Sequence, residues 1–137
     1  MEGMRALRMA GIGVVVLIVA VGLGFAWGAS GRTTAESALD EVRQKLDIAE
    51  ARGSILDARV SLYNVNFGEA QRQLEEAKEP LTRAHDRASE DGRKEQADAL
   101  TTALGHVTEA QRLAAKLDQS ANSRAGEALK ALQAISR

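Results

Sequence analysis

Residues 51–80 read ARGSILDARVSLYNVNFGEAQRQLEEAKEP. On either side of the centre, apolar residues recur every three or four positions among Ala, Leu, Glu, Gln and Arg, the residues that lose least on entering a helix. The centre, Asn64-Val65-Asn66-Phe67-Gly68, breaks that pattern. Asn66 followed three residues later by Glu69 has N-cap spacing, which starts a second helix at Phe67. Two helices joined by so short a turn pack antiparallel. The stretch therefore predicts a helical hairpin, and the rest of the chain extends it.

Upstream, Thr33 and Glu36 stand at capping-box spacing, and Leu39, Val42, Leu46, Ala49, Leu56, Val60 and Tyr63 follow at 3-4 intervals. Gly53 is the one weak position in that stripe, which is expected to be the packed face of the first helix. Downstream, Phe67, Ala70, Leu74, Ala77, Leu81, Ala84 and Ala88 make the second stripe. Pro80 falls inside it and predicts a kink over 76–80 or a break with Pro80 opening a new helix. Asp91-Gly92 is a turn signal. A third helix is expected over about 93–119, with Leu100, Val107, Ala110, Ala114 and Leu117 on its apolar face. After a loop at 119–123, Ala125, Ala128, Leu132 and Ile135 mark a last helix.

No segment alternates with period two, so no strand is expected. In residues 31–137, Leu, Ile, Val and Phe total 20 of 107, close to the level that signals disorder, but 16 basic residues offset 18 acidic ones. Low net repulsion and 20 Ala predict a folded, thin-cored domain.

Residues 9–31, MAGIGVVVLIVAVGLGFAWGASG, contain no charge. Some 20 apolar residues cross a hydrocarbon core of about 30 Å as a helix. Arg5 and Arg8 place the N-terminal side in the cytoplasm by the positive-inside rule, and Trp27 suits an interfacial anchor. The sequence thus divides into a short cytoplasmic N-terminus (1–8), a transmembrane signal-anchor (9–31) and an extracytoplasmic helical domain (32–137). The alternative is a cleaved signal peptide, with Ala26/Gly28 or Gly28/Ser30 at the cleavage site and a secreted or periplasmic product. Ala20, Gly24 and Gly28 form a small-xxx-small face for membrane helix packing. The fold class expected is all-α: an N-terminal transmembrane helix followed by a small antiparallel helical hairpin stack or three- to four-helix bundle.

Ala58, Leu62, Tyr63, Asn66, Phe67, Gly68, Ala70, Leu74 and Ala77 together resemble the centre of a tetratricopeptide repeat, over residues 51–79. Phe67, Ala70, Leu74 and Ala77 match that family's aromatic and its +3, +7 and +10 packing positions. Asp57 stands where the family has Leu, and Pro80 comes about two residues early. Gly68-Glu69-Ala70-Gln71-Arg72 recurs as Thr108-Glu109-Ala110-Gln111-Arg112 and more loosely as Gly126-Glu127-Ala128-Leu129-Lys130. The resemblance implies a protein-binding scaffold without catalysis.

The residues themselves point the same way. The chain has no Cys, which excludes disulfides, thiolate metal sites and Cys nucleophiles. A net charge of −1 argues against nucleic acid as a partner. Neither His85 nor His106 lies in a Glu-x-x-His pair; His106 and Glu109 are expected as a solvated pair, and His85-Asp86 as a surface dipeptide. No Gly-x-Ser-x-Gly elbow or phosphate-binding loop occurs outside the uncharged run. No catalytic residue, cofactor or metal site is therefore expected. Tyr63 and Phe67 are expected to plug the first hairpin, and with Asn64 and Asn66 they are also the candidate partner-binding residues. The function expected is a membrane-anchored, extracytoplasmic protein–protein interaction scaffold. The alternative is a homodimeric coiled-coil structural protein of the cell envelope, pairing through the stripe from Leu39 to Tyr63. A ligand-sensing ectodomain is a further alternative, with only eight residues ahead of the anchor to relay a signal.

Overall fold

The computed structural model describes residues 35–135. The uncharged run 9–31, with Ala20, Gly24 and Gly28, and the Thr33 cap lie outside the described residues. The chain divides into two compact units, residues 1–41 and 42–137. In the first, residues 35–41 are described and helical.

The second unit is all helix among the described residues. Helix α1 spans 35–63, its last 22 residues belonging to this unit. It is followed by α2 (Phe67–Glu90), α3 (Lys94–Ala115) and α4 (Ser120–Ile135). Helix α2 packs on α3, and α3 on α4. Helix α1 meets α2 where the Gln44 Nε2 donates to the Ala84 carbonyl at 3.0 Å, and meets α4 where Arg59 Nε donates to Asn122 Oδ1 at 2.9 Å. These contacts close an antiparallel four-helix bundle. Among the described residues no helix is long and apolar enough to cross a membrane.

Alanine sets the spacing of the bundle. Among the described residues 13 of the 23 buried apolar ones are Ala, so the helices can approach closely and the few large side chains carry most of the buried area. Ile55, Leu74, Leu81, Leu100, Val107 and Leu132 are fully buried in the main cluster. Leu62, Phe67, Ala70, Ala114 and Ala121 form a second cluster under the α1–α2 turn.

The expected face of α1 is corrected. Leu39, Val42, Leu46, Leu56, Val60 and Tyr63 are all exposed. The buried face is instead Gln44, Asp47, Ile48, Ala51, Ile55, Ala58, Ser61 and Leu62. This is a second 3-4 series on the same helix, and at 100° per residue it lies about 180° round from the first. Tyr63 accordingly does not plug the hairpin; it is 81% exposed, and Phe67 fills the turn alone.

Helix α2 starts at Phe67 as expected, with the Asn66 side chain accepting from the Glu69 N–H at 3.3 Å. It runs unbroken through Pro80, which is buried inside it, so Pro80 opens no new helix. Helix α3 ends at Ala115, four residues before the expected boundary, and Leu117 is 68% exposed in the turn beyond.

Three helix ends share one geometry. After α1, Asn66 N–H donates to Ser61 O at 2.8 Å and Val65 N–H to Leu62 O at 3.1 Å. After α2, Arg93 and Gly92 donate to Ala88 O and Ser89 O; after α3, Asp118 and Leu117 donate to Leu113 O and Ala114 O. Each pair is a Schellman cap, which needs one left-handed residue. Gly92 (φ 69°) meets that need without strain, but Val65 (φ 60°) and Leu117 (φ 57°) carry a Cβ there. Replacing Val65 or Leu117 by Gly is expected to raise stability by about 0.5–1 kcal/mol each in urea unfolding, the relief of strain exceeding the entropy cost of Gly. A lowered midpoint would show that the exposed side chains contribute packing that their burial does not indicate.

Candidate partner-binding surface

Helix α1 has two apolar faces because its sequence carries two interleaved heptad-like series. Hydrophobicity alone does not choose between them, since the outward series holds Leu46, Leu56, Val60 and Tyr63 and the inward one Ile48, Ile55 and Leu62. Polar groups make the choice. Asp47, 6% exposed, accepts from Arg83 Nε at 3.0 Å and Arg87 Nη1 at 2.8 Å, both on α2. Gln44, 2% exposed, donates to Ala84 O and accepts from Arg87 Nη1 at 3.3 Å. Arg83 also reaches Glu50 at 3.1 Å and Glu79 at 2.9 Å. Turning α1 to bury the other face would strip two α2 arginines of Asp47 and leave Gln44 facing water. A bidentate arrangement of this kind fixes rotation as well as register. Ala51 and Ala58 lie fully buried on the same inward face, in the main core cluster.

The outcome is an uncovered apolar seam along three heptads of α1. Val42 is 62% exposed, Leu46 64%, Leu56 50% and Val60 60%, with Tyr63 at its end. Gly53 sits in mid-seam, where an added Cβ would meet nothing within 4 Å. Isolated exposed apolar side chains are ordinary, but a continuous row on one helix is the mark of an interaction surface.

The four sequence-predicted partner residues separate. Tyr63 lies in phase with the seam and Asn64 is exposed beside it in the turn. Asn66 is exposed but spends its side chain capping α2. Phe67 is core, 8% exposed against Leu62, Ala70, Ala114 and Ala121. The seam residues are those expected from sequence to pack within the bundle or, in the alternative, to pair with a second copy; within the chain they are exposed. The missed signal was the pair Gln44 and Asp47, polar residues in phase with Ile48, Ala51 and Ile55, matched by Arg83 and Arg87 on the next helix.

The histidines make single ion pairs. His85 Nδ1 lies 3.1 Å from Asp86 Oδ1, as expected. His106 Nδ1 faces Glu127 Oε2 on α4 at 3.4 Å instead of Glu109, which is held by Arg112. Arg124, bonded to Glu127 at 2.6 Å, keeps that carboxyl below the ordinary range, with His106 adding a smaller effect. Among the described residues no group of three His, Asp or Glu could hold a metal ion. An open groove between α1 and α4, lined by Leu56, Arg59, Asn122 and Gly126, borders the seam.

A stability contrast checks this assignment of faces. In the full chain held monomeric at one chain per detergent micelle, Leu46→Glu and Val60→Glu are expected to change unfolding free energy by no more than about 0.5 kcal/mol. Ile55→Ala is expected to cost about 2–4 kcal/mol, and Asp47→Ala about 1.5–3 kcal/mol. Equal losses for Leu46→Glu and Ile55→Ala would mean that the seam is packed within the bundle. Compared with known proteins, the chain matches no family model, no curated protein and no solved structure.

Proposed function

We propose that this chain is a membrane-anchored, extracytoplasmic scaffold whose work is protein–protein binding, and that the α1 seam is the surface it offers. The observation that carries the reading is the row Val42, Leu46, Leu56, Val60 and Tyr63, each at least half exposed on a helix whose other face is already satisfied. A globular bundle gains nothing from an uncovered heptad row, which costs solubility and risks non-specific association. Helical partners bind such rows through anchors at i, i+3, i+4 and i+7.

Three sequence features support the rest. The uncharged run at 9–31, flanked by Arg5, Arg8 and Arg32, has the length of a single membrane span with the N-terminus inside. The hairpin 51–79 resembles a protein-binding repeat, and Phe67, Ala70, Leu74 and Ala77, which carry that resemblance, are all buried in the bundle. Catalysis is disfavoured by the absence of Cys and by the setting of the histidines, His85 beside Asp86 and His106 beside Glu127.

The test uses a photo-crosslinking side chain at Leu56 or Val60 in intact cells, with Thr82 on α2 as the off-seam control. Covalent protein adducts are expected from the seam positions and not from position 82, in membranes that retain the chain after carbonate washing. Adducts from position 82 alone, or none from the seam, would contradict the binding surface. Release by carbonate would contradict the anchor.

A further inference from the structure

We propose that the occupant of the α1 seam is a second copy of this chain, paired in parallel and in register as a short two-stranded coiled coil over residues 42–63. The proposal deepens the binding reading above and rests on its surface. It is carried by the charges that border the seam.

In heptad terms Leu46, Gly53 and Val60 occupy a, and Val42, Ala49, Leu56 and Tyr63 occupy d. The spacing 42, 46, 49, 53, 56, 60, 63 holds the 4-3 alternation without a slip, about 32 Å of helix at 1.5 Å per residue. The g positions are then Lys45, Arg52 and Arg59, all basic. The e positions within the seam are Arg43, Glu50, Asp57 and Asn64.

In a parallel pair, each g residue faces the e residue five positions on in the other strand. Lys45 then meets Glu50 and Arg52 meets Asp57, and two-fold symmetry repeats both, giving four attractive pairs. Arg59 and Asn64 make a neutral contact. In an antiparallel pair g faces g and e faces e, so Lys45 would meet Arg59, Arg52 would meet its own copy, and Glu50 would meet Asp57. Lys45, Glu50, Arg52 and Asp57 are therefore complementary in one orientation and meet like charges in the other. Glu50 is joined to Arg83 through Oε2, and a carboxylate with two oxygens accepts a further cation. Arg59 is engaged with Asn122 inside the bundle, which leaves the neutral g–e contact as the one it can best forgo.

Size fits as well. Gly53 at a and Ala49 at d allow the two backbones to approach closely at mid-seam, while Leu46, Leu56 and Val60 fill the layers on either side. Unlike a heterologous partner, a second copy requires no residue pattern beyond the one this chain already carries. Parallel pairing also sets both N-terminal sides together, the orientation that two single-pass chains of one topology must share.

Because the chain has no Cys, single cysteines report the pairing directly. The full chain with Val42→Cys, Leu56→Cys or Tyr63→Cys is oxidised in membranes and in detergent, with Glu76→Cys on α2 as control. Homotypic disulfide dimers are expected from all three seam positions and none from position 76, since side chains facing their own copies come within the Cβ separation of about 4 Å that a disulfide requires. Arg52→Glu is expected to cut crosslinking at position 56 at least five-fold. Mixing Arg52→Glu with Asp57→Arg chains is expected to restore it as a heterodimer. Gly53→Leu, which blocks the close approach of the two backbones at mid-seam, is expected to lower crosslinking relative to Gly53→Ala. Absence of homotypic crosslinks at 42 and 63, or crosslinks only between 42 and 63 in mixed chains, would overturn parallel pairing. Carbonate extraction of the same membranes reports the anchor separately, and adducts of other proteins at Leu56 or Val60 without self-crosslinks would leave the binding surface standing while removing the second copy as its occupant.

Discussion

The bonds that Arg83 and Arg87 donate to Asp47 set the rotation of α1, and the exposed seam depends on that rotation. The helix is nearly bifacial in its apolar content. A carboxylate 6% exposed, answered by two guanidiniums on α2, supplies the preference that burial of Leu or Ile alone does not. Gln44 adds a donor to the Ala84 carbonyl in the same network. Polar contacts of this type contribute modest net stability but discriminate sharply among packings, because the wrong packing leaves their partners unsatisfied.

Alanine gives that choice its consequence. With 13 Ala among the 23 buried apolar residues described, the core is built without the larger side chains of α1's outer face. Those side chains are consequently left over. The strained caps at Val65 and Leu117 add to the same impression, since both keep an apolar side chain exposed where Gly would relieve the backbone. The bundle satisfies itself with small residues and leaves several of its large ones facing outward.

Much of this was legible in the sequence. The turn at Asn64–Gly68, the Asn66 cap, the Asp91-Gly92 break and the buried face of α2 follow from propensity and period, which are local properties. The face of α1 was not legible by the same means. Two series at heptad spacing compete there, and the winner depends on Arg83 and Arg87, some 36 to 40 residues away in sequence and adjacent only once the hairpin closes. Leu117 illustrates the same limit at a helix end. Its spacing continues the apolar face of α3, but the Schellman bonds from Asp118 and Leu117 stop the helix two residues earlier and turn the side chain out. Of the candidate site, Tyr63 and the seam were visible as a pattern, and their exposure became visible only with the bundle.

Helix α1 is proposed to serve two interfaces, one within the bundle and one between chains. Sedimentation equilibrium of the full chain in density-matched detergent, alone and as the Leu46→Glu/Leu56→Glu variant, tests it most directly. A protein mass of two 14.6 kDa chains is expected for the native sequence and of one for the variant, with the helical content of both unchanged. A native chain that stays monomeric at all concentrations, or a variant that dimerises as strongly as the native chain, would contradict it.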